Sequence, residues 1–565
     1  MNSRTIVNIG VQNFDKLQER DSFYIDKTGF IREWWEGGAE VTLITRPRRF
    51  GKTLNMSMLE CFFSTKYAGR GDLFEGLDIW KDERYRQLQG TYPVIFLSFA
   101  GIKAVNADDM KYKMTEVISN LYDENTYLLE GDTLTSNEKE YYQSIKPGVD
   151  DKIIASTVQR IARFLSRYYG KKAIILLDEY DTPMQEAWLG GYWDETVAFF
   201  RSFFDYTFKT DPHMHRGVIT GITRISKESI FSDLNNLNVI TTTSDRYATS
   251  FGFTEQEVFR ALDDTGLGNE KQQVKQWYDG FTFGKYTDIY NPWSITSFID
   301  EKKYKAYWAN TSANSLVNSL IRTGRNEVKE TMETLLQGGS FTAIIDEQIV
   351  FSQLGGSVSA IWSLLLATGY LKVLGTEIVG EDKTEIYTLA LTNKEVEIMF
   401  KNMVNGWFKD NASIPYNDFV KAMLDDDVES MNDFMNDIAL DSFSNFDTAK
   451  GTSSGDIPER FYHGFVLGLM VDLAGKYVIK SNRGSGFGRY DILMKPTDRD
   501  RDYAYIIEFK VHKPRKEKDL EETLANAHRQ IEERKYETDL AAEGFAPERI
   551  RKYGFAFRGK ECLIG

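Results

Sequence analysis

Two groups of side chains in this sequence have types and spacings suited to chemistry. In the first, Val41-Thr-Leu-Ile-Thr45 reads as a buried strand that runs into Arg46-Pro-Arg-Arg-Phe-Gly-Lys-Thr53 and then into helical Leu54-Asn-Met-Ser-Met-Leu59. Strand, tight loop and helix N-terminus are the setting in which backbone N–H groups wrap a phosphate. Amides around Gly51 would hold a β-phosphate, Lys52 would place its charge between the β- and γ-phosphates, and Thr53 would hold Mg²⁺. Five positions before Gly51, where a first glycine is usual, stands Arg46, and Pro47 is there to stiffen the turn. The plainer alternative is a helix that simply begins with Lys-Thr.

A second apolar run, Ala173 to Leu177, ends in Asp178-Glu179-Tyr180-Asp181. Acids at the carboxyl end of a sheet strand line the ligand crevice of an α/β fold. Asp178 would complete the Mg²⁺ shell and Glu179 would polarise the attacking water. The alternative is an acidic helix cap. Gly217 to Thr223 is a further strand, and Arg224 after it would offset charge in the transition state or stand as an ordinary surface arginine.

The other group lies near the carboxyl terminus. Alternation in Tyr505-Ile-Ile-Glu-Phe-Lys-Val511 puts Glu508 and Lys510 on one strand face, with Ile507, Phe509 and Val511 on the other. Arg489-Tyr-Asp-Ile-Leu-Met494 is an upstream strand carrying Asp491. Pairing Met494 with Tyr505 in an antiparallel hairpin places Asp491 opposite Glu508, about 5 Å away. Two carboxylates so close call for a cation, and hard oxygen ligands suit Mg²⁺ or Mn²⁺. Such an ion activates water and stabilises a pentavalent phosphorus, with Lys510 orienting the nucleophile. Glu459 would lend a third metal oxygen, and Gln530, six residues before Tyr536, would hydrogen-bond the site. Gly484-Ser-Gly-Phe-Gly488 would let backbone approach it, and His463 reads as a core residue. The alternative for Asp491, Glu508 and Lys510 is a surface cross-strand salt bridge.

These groups need a large scaffold, and 565 residues supply enough for three or four domains. The first half alternates short β-branched runs (41–45, 93–99, 173–177, 217–221) with helical segments, an α/β pattern holding an insertion at about 100–170. Residues 254–405 read as a mainly helical lid with a β element near 385–391. Residues 406–450 read as an acidic helical connector, Gly451-Thr-Ser-Ser-Gly455 as a linker, and 451–565 as a compact α/β module.

The net charge of −15 argues against a general nucleic-acid coat, yet residues 459–565 carry 21 Lys and Arg against 18 Asp and Glu. The longest apolar stretch, Ala360 to Leu374, is interrupted by Ser363, Thr368, Gly369 and Lys372 and falls short of the ~18 residues of a spanning helix. No apolar run follows Met1-Asn-Ser-Arg4, and two cysteines make no disulfide framework. The expectation is a cytoplasmic protein with no membrane contact.

Together these segments resemble the bacterial AAA-ATPase-like proteins that carry a C-terminal PD-(D/E)XK nuclease domain. The resemblance also includes Phe23-Tyr-Ile-Asp-Lys27, Thr220-Gly-Ile-Thr-Arg-Ile-Ser226, Ser250-Phe-Gly-Phe-Thr254, Trp277-Tyr-Asp-Gly280, Tyr290-Asn-Pro-Trp293 and Tyr553-Gly-Phe-Ala-Phe557. It implies an N-terminal P-loop NTPase sheet over residues 1–253, a helical lid, and a restriction-endonuclease-like α/β fold at the end. The nuclease motif falls on Asp491, Glu508 and Lys510, with Glu459 as accessory acid. The implied cofactors are ATP and Mg²⁺ or Mn²⁺, the implied partner is nucleic acid with DNA favoured, and the ATPase class leaves room for a homo-oligomer. Two functions compete: an ATP-regulated, metal-dependent nuclease, and an ATP-dependent switch whose nuclease fold only grips nucleic acid or a partner.

Overall fold

Five short aliphatic runs pair side by side to make the first sheet, and a computed structural model of the chain gives their order. It describes residues 7–20, 22–209, 211–224, 230–231, 234–309, 315–323, 326–336, 338–346, 354, 357–380, 383–409, 416–442, 473, 476–481, 484–485, 488–489, 491–499, 501–514, 516–533, 537–558 and 561–565. The chain divides into two units, Met1–Gly324 with Thr331–Met399 and Arg325–Glu330 with Phe400–Gly565.

In the first unit, strands β1 (Val41–Thr45), β2 (Val94–Ser98), β3 (Ala173–Asp178), β4 (Met214–Gly221) and β5 (Leu237–Ile240) form a parallel sheet in the order β2-β3-β4-β1-β5. Every residue of β1 and β3 is buried, as expected of strands covered on both faces. Helix α1 (Lys52–Phe63) follows β1 directly. Pairing of Thr45 with Gly221 and of Ser98 with Asp178 aligns the carboxyl ends of four strands, so the residues that follow them share one edge. Helices Ala107–Asp123, Ser136–Ser144 and Thr157–Tyr169 lie between β2 and β3, where the insertion was expected.

The middle of this unit holds more strand than expected. Strands β6 (Phe253–Thr254), β7 (Phe281–Phe283) and β8 (Tyr286–Tyr290) form one small antiparallel sheet, and helix α2 (Pro292–Glu301) follows β8. Strand β9 (Phe341–Ile344), helix α3 (Val358–Ala367), and strands β10 (Leu371–Val379) and β11 (Thr384–Leu391) supply a second sheet, ordered β10-β11-β9. Helix α3 ends where Thr368 and Gly369 interrupt the long apolar run, and no described helix is long and apolar enough to cross a membrane. Lys27 ties the amino-terminal segment to the start of helix Glu255–Asp264: its Nζ donates to Thr249 O (2.8 Å) and Glu257 Oε2 (2.7 Å).

The second unit is a five-stranded sheet with helices on both faces. Its strands are β12 (Tyr477–Ser481), β15 (Ile492–Pro496), β16 (Ala504–Val511), β17 (Ile550–Arg558) and β18 (Glu561–Ile564), in that spatial order. The two-residue strands β13 (Gly484–Ser485) and β14 (Gly488–Arg489) pair separately. Helices α4 (Tyr416–Asp425) and α5 (Val428–Ser442) cover one face, where Phe419, Met423, Met431 and Met435 pack with Ile507, Phe509, Phe555 and Phe557. The other face carries α6 (Leu520–Glu533) and α7 (Glu537–Ala542), whose Ile531 and Leu540 pack with Leu493 and Ile506.

This corrects the reading of 406–450 as a connector, because α4 and α5 form a layer of the second unit. Asn432 and Asn436, one turn apart on α5, each bond both the N–H and the C=O of one residue of edge strand β18. Asn432 serves Ile564 and Asn436 serves Cys562, all at 2.8 Å. Two side-chain amides thus act as the missing neighbour strand and close the sheet's edge. Replacing fully buried Met431 or Met435 by alanine should cost about 2–5 kcal/mol in denaturant unfolding of this unit. A loss below about 0.5 kcal/mol would return the helix to a solvated connector.

Candidate active sites

The loop after β1 turns sharply into a helix N-terminus. Gly51 has φ +79°, which glycine adopts at no steric cost, and Arg49 has φ +66°. Arg48 and Arg49 form a tight turn, and among the described residues the N–H groups of Arg49, Gly51, Lys52 and Thr53 make no backbone–backbone hydrogen bond, while Asn55 N–H begins the helical ladder on Gly51 O (2.9 Å). A run of open amides curling into a helix N-terminus is an anion cradle. Lys52 Nζ is buried and donates to Arg46 O and Pro47 O, both at 2.9 Å. Burial pushes its ammonium down, against the opposing pull of Glu179, Asp178 and Asp181.

The residues expected to hold Mg²⁺ here, Thr53 and Asp178, meet from neighbouring elements. Thr53 Oγ1 donates to Asp178 Oδ2 at 2.7 Å, and the Thr220 hydroxyl donates to Asp178 Oδ1. Glu179 has φ +53°, a conformation that costs an L residue energy and re-aims the chain at the strand end. Burial and then the neighbouring Asp178 raise its carboxyl above the ordinary range. Asp181 Oδ2 accepts from Ile222 N (3.0 Å), Thr223 N (2.9 Å) and Thr223 Oγ1 (2.9 Å), and Tyr180 Oη donates to Thr223 O (2.8 Å). These bonds fix the backbone immediately before half-buried Arg224. Gly221 is what allows so close an approach, since a Cβ there would lie 2.5 Å from the Tyr180 ring and 2.8 Å from Asp181 Oδ1.

Arg46, expected at the nucleotide, is engaged by backbone carbonyls. Its guanidinium is fully buried and donates to Thr45 O (2.9 Å), Thr241 O (2.6 Å) and Arg246 O (3.3 Å), 4.6 Å from the Phe283 ring centre. With Nη1 and Nη2 committed to backbone carbonyls, it pins the loop to the segment after β5. Phe50 adds edge contacts to Phe281 and Phe283, at 4.7 and 5.4 Å between ring centres.

In the second unit, β15 and β16 pair Met494 with Tyr505, Leu493 with Ile506 and Ile492 with Ile507. One further step of this register sets Asp491 opposite Glu508. Asp491 Oδ2 accepts from Phe509 N at 2.8 Å, which holds its carboxylate against the strand that carries Glu508. Glu508 is 1% exposed, and its Oε1 accepts from Lys510 Nζ (3.1 Å) and from the Gln530 side-chain amide on α6. Lys510 Nζ also donates to Phe509 O (3.1 Å). The donor set is hard oxygen beside an ammonium, which fits Mg²⁺ or Mn²⁺ and fits a soft metal poorly. Gly554 lies beside Glu508 in β17, where a Cβ would come within 2.7 Å of Leu524 Cδ1 and 3.1 Å of Ala527 Cβ. Glycine there lets α6 lie close enough to the sheet for Gln530 to reach Glu508.

Glu459, His463, Tyr536 and the 451–455 linker lie outside the described residues, as does the centre of the 484–488 turn. Sequence reasoning did not single out Thr220, Asp181 or Gly554; Thr220 and Gly554 stood inside noted strings, and Asp181 closes the acidic strand end. Another acidic group, Glu255, Asp279 and Asp288, surrounds Lys275 Nζ, which bonds Glu255 and, at 3.0 Å, Asp288. It accounts for the Asp279-Gly280 string as an ion-pair network that joins helices Glu255–Asp264 and Lys271–Tyr278 to β8.

Residues 8–231 match the family described as "Predicted AAA-ATPase", and residues 457–565 match the PD-(D/E)XK nuclease superfamily. Over 400 residues the chain is 26% identical to an "Uncharacterized protein in vnfD 5'region" of Azotobacter chroococcum mcd 1, covering 70% of this chain and 69% of that protein. The two-part organisation expected from the sequence is the one these matches describe. Gly554→Val should cost about 1–3 kcal/mol by forcing α6 off the sheet. The check is the denaturation midpoint of the second unit, and an unchanged midpoint contradicts the close-approach argument.

Proposed function

We propose that this chain, an AAA-ATPase-like module joined to a PD-(D/E)XK nuclease-superfamily module, binds and hydrolyses ATP and cleaves nucleic acid, with DNA the favoured substrate. In the first module the open amides around Gly51 would bind the phosphates. Lys52 would exchange the carbonyls of Arg46 and Pro47 for phosphate oxygens. Thr53 and Asp178 would hold Mg²⁺, Glu179 would take the proton of the attacking water, and Arg224 would offset transition-state charge. A base with a raised pKa suits this role near neutral pH.

In the second module Asp491 and Glu508 would hold Mg²⁺ or Mn²⁺, with Glu459 as a further ligand. When bound, the ion supplies an activated water and positive charge beside the phosphorus. Lys510 would orient the nucleophile, Gln530 fixes the rotamer of Glu508, and Tyr536 is assigned an accessory role. The single observation carrying this reading is the β15–β16 register, which brings Asp491 to the strand of Glu508 and Lys510. The excess of basic residues in 459–565 suits a polyanion. A cytoplasmic location fits the two unpaired, buried cysteines.

A second reading, a switch that grips nucleic acid without cutting it, draws support from Glu508 Oε1 being already engaged by Lys510 and Gln530. One experiment separates the two: incubation of the full chain with DNA and Mg²⁺ or Mn²⁺, with and without ATP. Cleavage that disappears in Glu508→Ala supports the nuclease, whereas binding without cleavage supports the switch. Lys52→Ala should abolish nucleotide binding, read by equilibrium titration, and unchanged affinity would reject the phosphate site. Glu179→Gln should bind ATP and fail to hydrolyse it. The wild-type hydrolysis rate should fall, as pH is lowered, with an apparent pKa above that of an ordinary glutamate, because the protonated form cannot act as base.

A further inference from the structure

The string Tyr290-Asn-Pro-Trp293 has no part in either site as described so far, yet it touches the phosphate loop twice. Asn291 is fully buried, and its Oδ1 caps helix α2 by accepting from Trp293 N (2.9 Å) and Ser294 N (3.3 Å). Its other side-chain atom, Nδ2, donates to Arg48 O at 3.2 Å. Two residues on, the Trp293 ring lies under the Arg49 guanidinium, 4.3 Å from centre to Cζ. In a trans peptide the C=O and the following N–H point in opposite directions. Holding Arg48 O toward Asn291 therefore turns the Arg49 N–H away from Asn291, and among the described residues that N–H makes no backbone–backbone hydrogen bond. Arg49 is also the loop's non-glycine residue at positive φ, a conformation that an outside contact must stabilise.

We infer that Asn291 and Trp293 are positioning residues of the nucleotide site, fixing the Arg48–Arg49 peptide so that its N–H faces the phosphates. The inference rests on the nucleotide-binding reading and extends it to residues more than two hundred positions away in sequence. It gives the substituted loop an external brace at the turn where a more glycine-rich loop would rely on backbone freedom alone.

Asn291→Asp separates the two roles of this residue. An aspartate oxygen still caps α2, but the donor to Arg48 O is gone. In the full chain this variant should bind fluorescent mant-ATP with Mg²⁺ about tenfold more weakly, read at a temperature where circular dichroism shows it folded. Trp293→Ala should weaken binding and Trp293→Phe should restore it, because a phenyl ring still stacks on the guanidinium. Should Asn291→Asp lower the melting temperature, Asn291→Ser serves instead, with a hydroxyl that caps and is too short to reach Arg48 O. Wild-type affinity in the Asn291 variant together with no binding in Lys52→Ala overturns the positioning role and leaves the nucleotide site standing. A wild-type chain that binds no mant-ATP overturns both.

Discussion

Burying a carboxylate is costly unless hydrogen bonds or a positive charge meet it, and both candidate sites are built around this constraint. Asp178 and Glu508 are each 1% exposed, and each ends or interrupts an apolar strand. Asp178 is met by hydroxyls from α1 and β4, and Glu508 by an ammonium on its own strand and an amide from α6. Because the compensating groups come from neighbouring elements, the placement of those elements is tied to the carboxylate. The strand order β2-β3-β4-β1-β5 puts β4 between β3 and β1, so Thr220 and Thr53 approach Asp178 from adjacent elements. In the second unit, the glycine at 554 permits the helix approach that delivers Gln530.

The loop after β1 obeys a related logic. An amide run left open for a ligand cannot hold its own shape through internal bonds, so its shape must come from outside. Arg46 anchors the loop's beginning on backbone carbonyls, Phe50 packs against β7, and the start of α2 takes hold of the middle. Pro47 lies against the turn after α3, where a Cβ on Gly369 would come within 2.9 Å of its Cγ. An arginine in place of the first glycine then makes physical sense, since that position serves as an attachment point here and its backbone leads straight out of β1.

Much of this was legible in the sequence because it is local. The runs at 41–45, 173–177 and 217–221 are continuous and β-branched, so their burial on both faces follows from composition. A symmetric hairpin across the polar joining segment pairs Met494 with Tyr505, and so does the structure. What escaped depends on distant partners. Strand β5 is four residues long and includes Asn238, too short and polar to stand out. The acids of 424–447 gave α5 the look of a solvated connector, and only the sheet beneath shows that Met431, Asn432, Met435 and Asn436 face a partner. Nor does spacing reveal which way the side chain of Arg46 leaves the loop.

The account stands most directly on a divalent ion held between Asp491 and Glu508. Titration of Mn²⁺ into the nucleotide-free full chain, followed by calorimetry, measures this without reference to any substrate. The wild-type chain should bind one more ion than Asp491→Asn or Glu508→Gln, with both variants melting as cooperatively as the parent. Equal Mn²⁺ stoichiometry and affinity in all three proteins would contradict it.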